Sequence, residues 1–91
     1  MVGYTLAITP VAEAQLGAFP EPLAQFVRSE LTRLKENPTA LSKPATILQP
    51  RGQLFEVRYD SGGVVVWVSV IFRFGQDEQT LYVEDIVAEF G

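Results

Sequence analysis

The chain has 91 residues, 47% hydrophobic and 20% charged, the proportions of one small folded domain and not of a disordered segment. It has no cysteine, which excludes disulfides, thiolate catalysis and cysteine metal sites, and no histidine, which removes the commonest general base and transition-metal ligand. A net charge of −4 repels a phosphate backbone unless the basic residues gather on one face, so free nucleic acid is not an expected partner.

The chain opens MVGYTLAITP, with no basic stretch ahead of an apolar core, so no signal peptide is read there. No apolar run approaches the roughly 20 residues that span a bilayer. The expected compartment is therefore the cytoplasm, with no membrane contact.

In VGYTLAI, residues 2–8, Val2, Tyr4, Leu6 and Ile8 alternate with Thr5 and Ala7 as in a strand. Thr9-Pro10 supplies a capping hydroxyl and a first-turn proline for a short helix from Val11 to Ala18, stopped by Gly17 and Pro20. In PLAQFVRSELTRLKE, Leu23, Phe26, Val27, Leu31 and Leu34 recur at spacings of three and four and form one core-facing stripe. Asn37-Pro38 ends that helix. Residues 38–53 contain three prolines at 38, 44 and 50 and read as an irregular crossing with at most an edge strand near Ala45–Leu48.

A strand follows at Leu54–Tyr59, then the turn Asp60-Ser61-Gly62-Gly63, whose glycines accept positive φ. Next comes VVVWVSVIFRF, residues 64–74. At a period of two, Val64, Val66, Val68, Val70, Phe72 and Phe74 point one way, and Val65, Trp67, Ser69, Ile71 and Arg73 the other. The first set is the helix-facing side, at about 1.5–3 kcal/mol for each fully buried side chain. GQDEQ is a polar turn, and TLYVEDIVAEF is the last strand. The expected fold is a single α+β domain over residues 1–91, in the order β-α-α-β-β-β, an antiparallel sheet with two helices packed on one face.

Three stretches, YTLAITPVAEAQL, LAQFVRSELTRLKENP and GQLFEVRYDSGGVVVWVSV, together resemble the RelE/ParE superfamily of small bacterial toxins. Tyr4, Thr9, the run from Leu34 to Pro38 and the run from Leu54 to Arg58 stand where that family carries its elements. The resemblance implies a RelE-like fold, an antitoxin partner and, for RelE-type members, ribosome-dependent mRNA cleavage. Family members with that activity are strongly basic and carry arginine, histidine or tyrosine near the C-terminus. Here Arg58 is retained, the second family arginine falls within Val64–Val66, and the last residues, Val87-Ala88-Glu89-Phe90-Gly91, include no basic group or phenol.

Cleavage by 2′-hydroxyl attack needs proton transfer and stabilisation of a negatively charged phosphorane. The candidates for that work are Arg51, Arg58 and Arg73 with Lys43. By alternation the face away from the helices holds Thr5, Ala7, Glu56, Arg58, Val65, Trp67, Ser69, Ile71 and Arg73, with Tyr82, Glu84 and Ile86. Its charges nearly cancel, which suits ion pairs better than a phosphate groove. Asp77 and Glu78 lie in a polar turn, and Glu84 and Asp85, as strand neighbours, point apart, so no metal site and no cofactor are expected.

What remains is adhesion: Val65, Trp67, Ile71, Tyr82 and Ile86 form an apolar patch with a charged rim. It suits an antitoxin-like segment or a second copy of the chain. The leading expectation is a toxin-like component of a bacterial toxin–antitoxin system that acts through protein contacts. The alternatives are a ribosome-dependent mRNA interferase of RelE type and a ParE-like inhibitor that binds a topoisomerase.

Overall fold

The computed structural model describes residues 3–45 and 52–90. In chain order it forms β1 (Thr5–Ile8), α1 (Pro10–Gly17), α2 (Glu21–Glu36), α3 (Pro38–Leu41), β2 (Lys43–Pro44), β3 (Gln53–Ser61), β4 (Val64–Phe74) and β5 (Thr80–Phe90). The sheet order is β1-β5-β4-β3-β2. Antiparallel pairing runs from β2 through β5, as the alternating strands and short turns dictate, whereas β1 joins β5 in parallel. β1 and β5 are joined by no hairpin, and a parallel pair needs the kind of long crossover that α1 and α2 begin.

Two elements go beyond the sequence expectation. Pro38, which ends α2, also starts the single turn α3, because its fixed φ suits a first helical position. The edge strand is β2 at Lys43–Pro44, two residues ahead of the expected one, and Thr46–Leu48 fall outside the described residues.

The core lies between the helices and one side of the sheet. Leu23, Val27, Leu31 and Leu34 of α2 are buried, as their spacing requires, and Phe26 is half-buried with its ring 5.0 Å from that of Tyr59. Ala12 and Leu16 of α1 join them over Phe55, Val57, Val66, Val68, Val70, Phe72, Leu81, Val83 and Ile86. Four of the six helix-facing residues of β4 are fully buried; Val64, beside the hairpin turn, is exposed, and Phe74 is half-buried. Those four contribute at most about 6–12 kcal/mol of transfer free energy. Gly62 and Gly63, at φ 57° and 88°, make the two-residue turn between β3 and β4.

β5 departs from strict alternation. Ile71 pairs with Asp85 and Phe72 with Val83, so Glu84 is an extra residue, a β-bulge. The bulge resets the period, so Leu81 and Val83 before it and Ile86 after it all reach the core.

α1 is stitched to β5 around this point. The Thr9 amide and hydroxyl both donate to the Val83 carbonyl, at 3.0 and 2.9 Å. Further on, Gln15 Oε1 accepts the Ile86 amide at 2.7 Å while its Nε2 donates to the Asp85 carboxylate. A side-chain amide thus stands in for the next backbone partner along the strand edge. Gln15→Ala is expected to cost about 1–2 kcal/mol, with faster amide exchange at Ile86 and unchanged exchange at Val83; denaturant unfolding and hydrogen exchange measure both.

Candidate functional site

The face of the sheet opposite the helices carries the candidate residues. On β3 it presents Glu56, Arg58 and Asp60; on β4, Val65, Trp67, Ser69, Ile71 and Arg73; on β5, Tyr82 and Glu84, with Asp85 brought to the same side by the bulge instead of pointing away from Glu84, then Val87 and Glu89. Trp67 stands opposite Arg58 and Glu89, and Arg73 opposite Tyr82.

Each described cation of this face has an acidic neighbour. Lys43 Nζ lies 3.3 Å from Glu56 Oε1, Arg58 Nη2 3.0 Å from Asp60 Oδ2, and Arg73 Nε 2.8 Å from Glu84 Oε2. Arg58 also stacks over the Trp67 ring at 5.9 Å, and Arg73 over Tyr82 at 4.8 Å. Each exposed ion pair is worth only about 0.2–1 kcal/mol, so the bonds could be broken by a ligand, but the positions could not be moved.

Those positions are far apart. Arg58 shares a rung with Trp67, and Trp67 is six residues from Arg73 along β4, which at about 3.3 Å per residue separates the two arginines by about 20 Å. Lys43 lies two strands from β4, about 10 Å to the side. These three cations do not converge on one phosphate. Arg51, the fourth candidate, lies outside the described residues.

Trp67 is 49% exposed and Val65 half-buried beside it. The other expected members of the apolar patch behave differently. Ile71 faces this side but is buried, between Leu54 and Asp85 on the flanking strands. Tyr82 is half-buried under Arg73. Ile86 does not belong to this face: it is 2% exposed, pairs with Val70 and lies in the helix-side core, because the bulge reverses the alternation ahead of it. Val87 takes its place, 43% exposed and diagonal to Trp67. The sequence carries a sign of this reversal. Apolar residues run Leu81, Val83, Ile86, Ala88, Phe90, with one gap of three, and strict alternation would have put Asp85 in the core.

The turn after β4 holds the carboxylates of Asp77 and Glu78. Asp77 Oδ1 accepts the amides of Gln79 and Thr80, each at 3.0 Å, and Oδ2 accepts the Thr80 hydroxyl at 2.8 Å. Hydrogen bonding from Gln79 first, then from Thr80, holds the Asp77 carboxyl below the usual aspartate range. The carboxylate is thus occupied in closing the turn. Among the described residues no three potential metal ligands gather in one place. Gly75 is buried beside Tyr82, where a β-carbon would lie 2.8 Å from the ring and would force it to move. No described helix is long and apolar enough to cross a membrane.

A five-stranded sheet in this order, with its helices layered on one face, is the RelE-like fold. A chain of the toxin–antitoxin complex RelBE2 from Mycobacterium tuberculosis matches it with a TM-score of 0.75 and 18% identity, over 97% of this chain and 100% of that one. The E. coli toxin RelE, in the free state and with two arginines changed to alanine, matches with a TM-score of 0.66 and 11% identity, over 93% of this chain and 82% of that one. No family model matches the chain, and no curated protein matches it in sequence. At these identities the likeness is one of fold.

Asp77→Asn is expected to lower the melting temperature at pH 7. A carboxyl whose folded pKa is depressed stabilises fully above its unfolded value of about 3.9 and loses that contribution as pH falls through the folded value. The gap between native protein and variant should therefore be constant from pH 7 to about 5 and close below about pH 4, as thermal unfolding followed across pH will show.

Proposed function

We propose that this chain is the toxin-like member of a toxin–antitoxin pair and works by holding protein partners, not by cutting RNA. The match to RelBE2 and RelE folds supports the first half. The arrangement of the open face supports the second: its described cations are each engaged by a carboxylate and spread over about 20 Å, while its centre is the exposed indole of Trp67 flanked by Val65 and Val87. The three cations, Lys43, Arg58 and Arg73, are each met by a carboxylate, and Glu89 and Asp85 add further negative charge on the same side of the sheet.

A groove for an RNA backbone would need the opposite balance, since each phosphate contact draws on an available lysine or arginine. An exposed tryptophan amid small apolar side chains, with charges around it, is by contrast the make-up of a protein-binding centre. The antitoxin of the pair is the partner this reading names, with a soluble life in the cytoplasm.

Two measurements separate this reading from nuclease action. Expression in bacteria, with primer extension on ribosome-bound mRNA, is expected to show no new cleavage; cleavage that disappears in Arg58→Ala or Arg73→Ala would overturn it. Trp67→Ala, at an exposed site, should leave the unfolding free energy within about 0.5 kcal/mol of native and weaken capture of the antitoxin by at least about 2 kcal/mol, near thirtyfold, in titration calorimetry.

A further inference from the structure

Past the bulge, β5 has one edge on β4, while on its other edge no described strand pairs with it and only Gln15 of α1 reaches it. β1 covers β5 only from Thr80 to Val83, and Gln15 takes the Ile86 amide. Because strand residues alternate, the N–H and C=O of Ala88 and Phe90, with the Ile86 carbonyl, turn to that same outer edge. The Ile86–Phe90 stretch spans about 15 Å, the length of an ordinary short strand.

Apolar exposure gathers at the same place. Of the five exposed large apolar side chains among the described residues, four are Val64, Trp67, Val87 and Phe90, all toward the end of the sheet where β4 begins and β5 finishes. Phe90 is 66% exposed and closes one end of a groove of about 250 Å³ on the helix side, which runs from it across Val64 and Val66 of β4 to Tyr59 of β3. The opposite side of the sheet differs: past the two residues that β2 covers, β3 presents Glu56, Arg58 and Asp60 toward solvent and no exposed large apolar residue. On the open side of the β5 edge stands Glu89, exposed and in no ion pair among the described residues.

We infer that the free edge of β5 from Ile86 to Phe90 is a strand-addition site for an extended segment of the partner protein that alternates apolar side chains with lysine or arginine. The inference rests on the protein-contact reading above and names where and what the partner contributes. Backbone pairing to Ala88 and Phe90 supplies the affinity, and alternate side chains read the two faces. Those falling on the helix side meet Ala88 and Phe90 and must be apolar to cover the exposed ring. Those falling on the open side lie against Val87 and Glu89, where a cation answers the unpaired carboxylate. A second copy of this chain fits poorly, since it would bring its own Glu89 and a further net charge of −4.

The test uses the full chain, isotope-labelled, and an eight-residue acetylated, amidated peptide alternating valine and lysine. Hydrogen exchange at the Ala88 and Phe90 amides is expected to slow at least about tenfold at saturating peptide. The same peptide N-methylated on alternate residues should give no protection. Ala88→Pro should also abolish binding while keeping the remaining amide spectrum, because that N–H faces away from β4. Absence of protection at Ala88 and Phe90 would overturn the inference. So would equal protection by a valine–glutamate peptide, or protection without peptide accompanied by a dimer in sedimentation. None of these results bears on the Trp67→Ala titration, so the broader reading stands or falls separately.

Discussion

The helix-facing side of β4 has to stay dry, and the two strands flanking it must present apolar side chains at matching rungs. β3 does this over its whole length by simple alternation, with Phe55 and Val57 opposite Val70 and Val68. β5 cannot, because its lower half is held in register by β1 and its upper half continues alone. The extra residue Glu84 absorbs the conflict: Val83 stays opposite Phe72, and Ile86 arrives opposite Val70. Without the bulge Asp85 would enter the core, at a cost of several kcal/mol for an unpaired charge, and Ile86 would be lost from it. Instead Asp85 meets Gln15 at the edge of α1.

The same bulge decides what the open face can be. By sending Ile86 inward it brings Val87 and Glu89 outward beside Trp67, so the centre of that face is apolar and its margin acidic. Arg58 sits on the Trp67 rung and Arg73 about 20 Å away along the sheet, each against a carboxylate and an aromatic ring. Cation–π stacking and ion pairing both hold a guanidinium flat on the sheet, which favours a smooth surface over a cleft. The fold by itself does not decide what this surface does, since fold and site are separate properties of a chain.

Much of this architecture was legible in the residues. The spacing of Leu23, Val27, Leu31 and Leu34 gave α2 and its buried stripe, and the glycine pair at 62 and 63 gave the hairpin. The two faces of β4 followed from period two, apart from exposed Val64 at its end and buried Ile71 on its open side. Less legible were the features set by contacts distant in sequence. The parallel pairing of β1 depends on a partner 75 residues away, with Thr5 against Thr80. The bulge was visible only as one gap of three among gaps of two. Arg58 and Arg73 could be placed on a face from the sequence, but their separation of about 20 Å required the register.

An open strand edge is a hazard for any sheet protein, since it templates pairing with whatever strand comes near. Natural edges are blunted by charge, proline, bulges or cover, and here the means change along β5. Up to Val83 the cover is β1; at Ile86 it is the side chain of Gln15; beyond that the guard is the single charge of Glu89 on an acidic molecule. A guard made of negative charge is selective: it repels copies of this chain, which share its sign, and it does nothing against a cationic strand. Were the only requirement to prevent pairing, a proline at Ala88 or a longer β1 would have served without leaving Phe90 and Val87 in water. That the closure stops at Gln15, with the apolar residues grouped just past it, makes the end of β5 an admitted opening and places it beside Trp67, where one bound segment can engage the edge and the face together.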